Sequence, residues 1–175
     1  MSLLRFLGVG GVRERESGDT ATVRRIAAAL ERLDPQTAKH LAAFAFVLAR
    51  VANADLKIDE SETAEMERIV KTLASLSEGE AVLAVQIAKS QARLLGGTEN
   101  YVVTREFRKL ATRAQRAELL QCLFAVAAAD GTISSEESAE LLAIAEELGF
   151  TRAEANSLRS TYRDKLSEFQ KRPND

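Results

Sequence analysis

The chain of 175 residues has no tryptophan, one cysteine, one histidine and two prolines. The lone Cys122 excludes an internal disulfide framework and suits a reducing compartment. With only His40 beside it, the sequence offers no ligand set for zinc or copper, which need imidazole or thiolate. Scarce proline leaves long helices uninterrupted. Long apolar runs are missing too. The longest uncharged apolar stretch, Leu119 to Ala129, falls short of the ~20 residues that cross a bilayer. The opening residues carry Gly8, Gly10 and Gly11 and lack the apolar core and cleavage site of a signal peptide, so the expected location is the cytoplasm. A net charge of −2 gives no overall pull toward nucleic acid or acidic lipid.

What is present favours helix. Apolar residues make up 46% and charged residues 29%, a globular balance, and a chain of this length buries roughly 70% of its unfolded surface as one domain. No segment alternates with period two, so no sheet is expected. Residues 1–18 read as a loose tail, whose Leu3, Leu4, Phe6 and Leu7 offer contact to a membrane surface or a partner. A single all-helical domain is expected over 19–172, with halves of about 19–95 and 98–172. Asp19 or Thr20 starts the first helix, and Asp34-Pro35 ends it and starts the second. That second helix is apolar on most sides through Leu41, Phe44, Val47, Leu48 and Val51, which places it in the core. A third carries Met66, Ile69, Val70, Leu73 and Leu76 on one stripe. A fourth runs to Leu95, stopped by Gly96-Gly97. After a short amphipathic helix with Val103, Phe107 and Leu110, the plan repeats: an apolar helix to Ala129, a helix stopped at Gly149, and a last helix setting Leu158, Tyr162, Leu166 and Phe169 on one face.

The repeat centres on two acidic turns 75 residues apart: Asp55-Leu56-Lys57-Ile58-Asp59-Glu60-Ser61-Glu62 and Asp130-Gly131-Thr132-Ile133-Ser134-Ser135-Glu136-Glu137. The match extends from Val51 and Val126 to Leu73 and Leu148. Acid is concentrated here: six carboxylates lie between Asp55 and Glu67 against Lys57 alone, and six between Asp130 and Glu147 with no basic residue.

These turns admit two readings. Asp59 with Glu62 and Ser134 with Glu137 fit the capping box, as do Ser77 with Glu80, Thr112 with Gln115 and Thr151 with Glu154. On that reading the acids only start helices, and Ile58 and Ile133 plug the core. The other reading is a divalent-cation site. As calcium loops of the EF-hand type the turns fail at the front, where Val51, Asn53, Val126 and Ala128 stand at the first and third ligand positions. If the halves pack about a pseudo-two-fold axis, however, Asp55, Asp59, Glu62, Asp130, Glu137 and Glu136 converge from both copies on one hard cation, calcium, magnesium or manganese.

The repeated pattern Val-Ala-(Asn/Ala)-Ala-Asp-(Leu/Gly)-x-Ile-(Asp/Ser)-x-x-Glu, at a hairpin in each half, resembles the TerB-like tellurite-resistance domain over about residues 35–170. The resemblance implies an all-α, compact bundle of seven or eight helices with a pseudo-two-fold internal duplication. It also implies an acidic metal site of Asp55, Glu62, Asp130 and Glu137 with Asp59 auxiliary, links to bacterial stress response and membrane-associated complexes, and no enzymatic activity. Leu56 in place of glycine and Ser134 in place of an acid depart from the pattern.

Other candidates read as structural. Cys122 sits in an apolar helix as an inert thiol, His40 lacks a partner at recognisable spacing, and Arg105, Arg108, Lys109, Arg113 and Arg116 form a solvated helix face rather than a nucleic-acid site. The expected function is a non-enzymatic cytoplasmic module that binds or senses a divalent cation. The alternative is a helical scaffold that docks an unidentified protein and touches membrane peripherally through its tail.

Overall fold

The computed structural model describes residues 17–52, 59–91 and 100–170. Asp55, Ile58, the Gly96-Gly97 stop and the apolar residues of the tail lie outside the described residues. Eight α-helices follow in order within them: α1 (Ser17–Glu31), α2 (Pro35–Ala52), α3 (Glu60–Leu73), α4 (Glu78–Gln91), α5 (Asn100–Leu110), α6 (Arg113–Ala127), α7 (Ser135–Glu147) and α8 (Arg152–Ser160). No β-strand occurs among the described residues, and one isolated bridge joins Ile133 to Leu166.

Helix α2 is the axis. Residues 41–49 are buried without a break, so its apolar side chains face protein in every direction, as a helix hydrophobic all round must. It packs against α1, α4, α5, α6 and α7. Phe44 meets Phe107 of α5 edge to face, with centroids 6.2 Å apart. Around it, α3 buries Met66, Ile69 and Val70, α6 buries Leu119, Leu120, Leu123 and Phe124, and α7 buries Leu141, Ile144 and Ala145.

Local chemistry sets where the helices begin. Asp34 accepts from the amides of Gln36 and Thr37, both at 3.1 Å, to start α2. All five capping boxes read from the sequence are closed in both directions: at α3, α6, α7 and α8, and at α4 through Ser77 and Glu80. Each satisfies two amide donors that a helix start otherwise leaves orphaned.

The repeat in sequence is a repeat of elements: α3 and α7 begin 75 residues apart, at Glu60 and Ser135. Just beyond α3, the amide and hydroxyl of Ser75 donate to Glu118 in the first half of α6, at 3.0 and 2.8 Å. The two helices pack together with the end of one at the beginning of the other, so they run in opposite directions.

Three expectations are corrected. The first helix starts at Ser17, so it includes Asp19 and Thr20 instead of being capped by them. Helix α6 stops at Ala127, because the Ala129 amide turns back to Val126 O at 3.2 Å and tightens the chain early. The last helix stops at Ser160 and is followed by 3-10 turns at Arg163–Lys165 and Ser167–Phe169. Leu166 is buried through its bridge to Ile133, while Phe169 stays 49% exposed under the Arg163 guanidinium. The continuous apolar face therefore does not form.

Gly149 ends α7 at φ +91, and a Cβ there would stand 2.8 Å from Arg108 Nε and 3.0 Å from Arg116 Nη1. Gly131 has φ +99 but open space around it. Gly149→Ala is therefore expected to cost about 1–3 kcal/mol and more than Gly131→Ala, as measured by urea unfolding.

Candidate functional site: the acidic turns

The second acidic turn is described in full. After α6, the Gly131 amide closes a turn on Ala128 O at 3.0 Å. The Asp130 carboxylate accepts from the Thr132 amide at 3.0 Å, the local turn that aspartate side chains favour. Ile133 is fully buried, as the plug reading expects. Ser134 then accepts from the Glu137 amide at 3.1 Å, and Glu137 accepts from the Ser134 amide at 2.8 Å. Glu136 and Asp130 are exposed and Glu137 is half-buried. At the positive end of α7 both glutamates also favour the helix electrostatically.

In the first turn Asp59 accepts from the Glu62 amide at 2.8 Å while Glu62 accepts from the Asp59 amide at 2.9 Å. Of the six candidate ligands, Asp55 is outside the described residues, Asp59, Glu62 and Glu137 act in capping boxes, Asp130 holds its own turn, and Glu136 is solvent-facing. Among the described residues no three acidic, histidine or cysteine side chains are grouped as they would be to hold a metal ion.

The charged group that sequence reasoning missed is Arg50, at the end of α2. Its side chain is 6% exposed. Nε donates to Glu140 at 3.0 Å, Nη1 donates to Glu147 at 2.6 Å and to the buried Thr104 hydroxyl at 2.8 Å, and Nη2 also reaches Glu140. Burial disfavours its charge, but the hydrogen bonds to Glu147 and Glu140 outweigh that and hold the guanidinium more firmly protonated than usual. This cluster ties α2 to α5 and α7, one from each half of the repeat and a connector between them. The signal was a lone cation closing the apolar run Leu41–Ala49, with two glutamates seven apart on one face of α7. In the other copy, Ala125 stands where Arg50 does and Glu65 where Glu140 does, and Glu65 pairs locally with Arg68 at 2.6 Å.

The remaining candidates are structural. Cys122 is fully buried, and burial, reinforced by Glu118, pushes its thiol up to about 12, so almost no thiolate exists near neutrality. His40 lies against Phe107 with centroids 5.1 Å apart, and burial lowers its pKa against the opposing pull of Glu118 and Glu80. The basic stretch is solvated as expected at Arg105, Arg108, Lys109 and Arg113, which are exposed, with Lys109 pairing to Glu106 and Arg113 to Glu154. The exception is the half-buried Arg116, which donates to Leu148 O at 2.6 Å. There it caps the end of α7, where cations are favoured.

Two expectations follow. Arg50→Ala leaves the half-buried Glu147 without its cation and should cost up to about 3 kcal/mol, whereas Arg50→Met combined with Glu147→Leu should recover much of that in urea unfolding. His40 binds its proton less well folded than unfolded, where its value is near 6.5. Its contribution is thus complete above that pH and lost as pH falls below it. The melting temperature should decline from about pH 6.5 toward pH 5, ahead of the carboxylates, and the decline should flatten in His40→Leu.

A family model described as Tellurite resistance protein TerB matches residues 40–160. No curated protein and no solved structure matches the chain.

Proposed function

Because the chain belongs to the tellurite resistance TerB family and Asp59, Glu62 and Glu137 of its acidic turns are engaged in starting helices, we propose that it is a non-enzymatic helical module that docks a protein partner in a bacterial stress response of the tellurite-resistance kind. The observation that carries this reading is the closure of both acidic turns into capping boxes, Asp59 with Glu62 and Ser134 with Glu137. The buried thiol of Cys122 and the packed ring of His40 support an absence of chemistry, since neither is poised as nucleophile or base. Among the described residues no helix is long and apolar enough to cross a membrane. The proposed setting is the cytoplasm, with membrane contact limited to the tail and no nucleic acid bound.

One arrangement favours a second reading, a divalent cation (calcium, magnesium or manganese) held between the turns. The opposite directions of α3 and α6 point the acidic start of α3 toward the end of the bundle where the second turn lies. Asp130, Glu62 and Glu137 each engage an amide through one carboxylate oxygen, and a hard cation can take the other. Asp55, Asp59 and Glu136 would complete the shell.

Thermal melting in EDTA and in excess calcium, magnesium or manganese tests the two. The docking reading expects no cation-dependent shift, and a loss of about 1 kcal/mol in Glu137→Ala that is the same in every buffer. A rise in melting temperature with one of these cations, abolished in Asp130→Ala, would overturn it in favour of the second.

A further inference from the structure

Beyond α8 the chain returns to the second acidic turn and is held there much as a bound peptide would be. Tyr162 stacks on Phe124 with centroids 5.7 Å apart, and the eight residues after it form a strap. The Ile133 amide donates to Lys165 O at 2.7 Å, and the Ser167 amide donates to Ile133 O at 2.9 Å, forming one parallel bridge. Leu166 is 1% exposed beside the fully buried Ile133. Gln170 reaches across the turn: its amide nitrogen donates to Gly131 O at 2.8 Å and Asp164 O at 3.2 Å, and its oxygen accepts from the Thr132 hydroxyl at 2.9 Å. Arg159, bonded to the buried Ser138 at 2.8 Å, pairs with Glu168 at 2.6 Å. Arg163, Asp164, Glu168 and Phe169 remain exposed.

One apolar anchor, main-chain pairing on both sides of a single residue and one amide clamp form the recognition pattern of strand addition, in which backbone bonds supply affinity and a side-chain pocket supplies selectivity. A docking role requires this contact to open locally while the bundle stays folded. We propose that the backbone edge at Ile133 is a peptide-docking site and that residues 163–170 fill it in cis as an autoinhibitory ligand. Its exchange partner is an extended protein segment with leucine at the Leu166 position and an amide side chain four residues on. This rests on the docking reading above and names its surface and the chemistry of its partner. Tethering gives the strap a high effective concentration, so the partner segment enters only when the strap is out.

The test is a fluorescent peptide of the sequence Tyr162–Gln170, titrated by anisotropy into the full-length wild type and full-length Leu166→Asp, whose own strap cannot seat a carboxylate in the pocket. Binding at least about tenfold tighter to the variant, and lost when the peptide carries the same Leu→Asp change, is expected. Equal affinity for both proteins, or no binding to a variant whose circular dichroism is native, overturns the proposal. Hydrogen exchange on the wild type covers a variant that fails to fold. The Ile133 and Ser167 amides should exchange together, about a hundredfold or more faster than the Phe124 amide within α6; exchange at the rate of Phe124 overturns the proposal. Since the probe is the chain's own strap, a negative result strikes this edge alone, while the docking reading stands or falls on the cation melts.

Discussion

The rest of the structure depends on burying α2 on all sides at once. A helix with apolar side chains around its whole circumference cannot lie on a surface, and five other helices are needed to enclose it. Their buried faces follow from that enclosure, with Leu119, Leu123 and Phe124 of α6 and Leu141, Ile144 and Ala145 of α7 turned inward. The guanidinium brought into this region, that of Arg50, comes with its own solution. Glu140, Glu147 and Thr104 converge on it from two other helices, because an unaccompanied guanidinium at 6% exposure would cost more than the fold can bear.

Helix mechanics explains part of the acid in the repeat. Capping boxes close at the starts of α3 and α7, where Glu62 and Glu137 each satisfy an orphan amide while sitting at the positive end of the dipole. Two jobs are compatible in such a residue, since a carboxylate that accepts from one amide keeps a second oxygen for a ligand. That is why the cation melts, and not the cap geometry alone, separate docking from metal binding.

Duplication gave two hairpins, and divergence made them unequal. Helix α4 buries Ala81, Leu83, Ala84, Val85, Ile87 and Ala88, whereas its counterpart α8 buries Ala155 alone. The segment after α8 instead settles on the edge of the second turn, where Ile133 pairs with Leu166 and both are buried. Arg50 is likewise a feature of one copy, with Ala125 in the matching position of the other. The molecule's cross-connections arise where the repeat is broken.

Helical class, the six helix starts at α2, α3, α4, α6, α7 and α8, the central place of α2 and the burial of Ile133 and Cys122 were all legible in the sequence. Each depends on residues within four positions of one another, or on an apolar pattern with a helix's period, and such signals survive without knowledge of the neighbours. The end of the last helix was not legible, because Leu158, Tyr162, Leu166 and Phe169 keep helical spacing while a backbone partner at Ile133 captures Leu166. Neither was the Arg50 cluster, which joins residues up to 97 apart. Local spacing chose the elements; the capture of distant polar and backbone groups, each needing a partner once removed from water, was decided only when the chain had closed on itself.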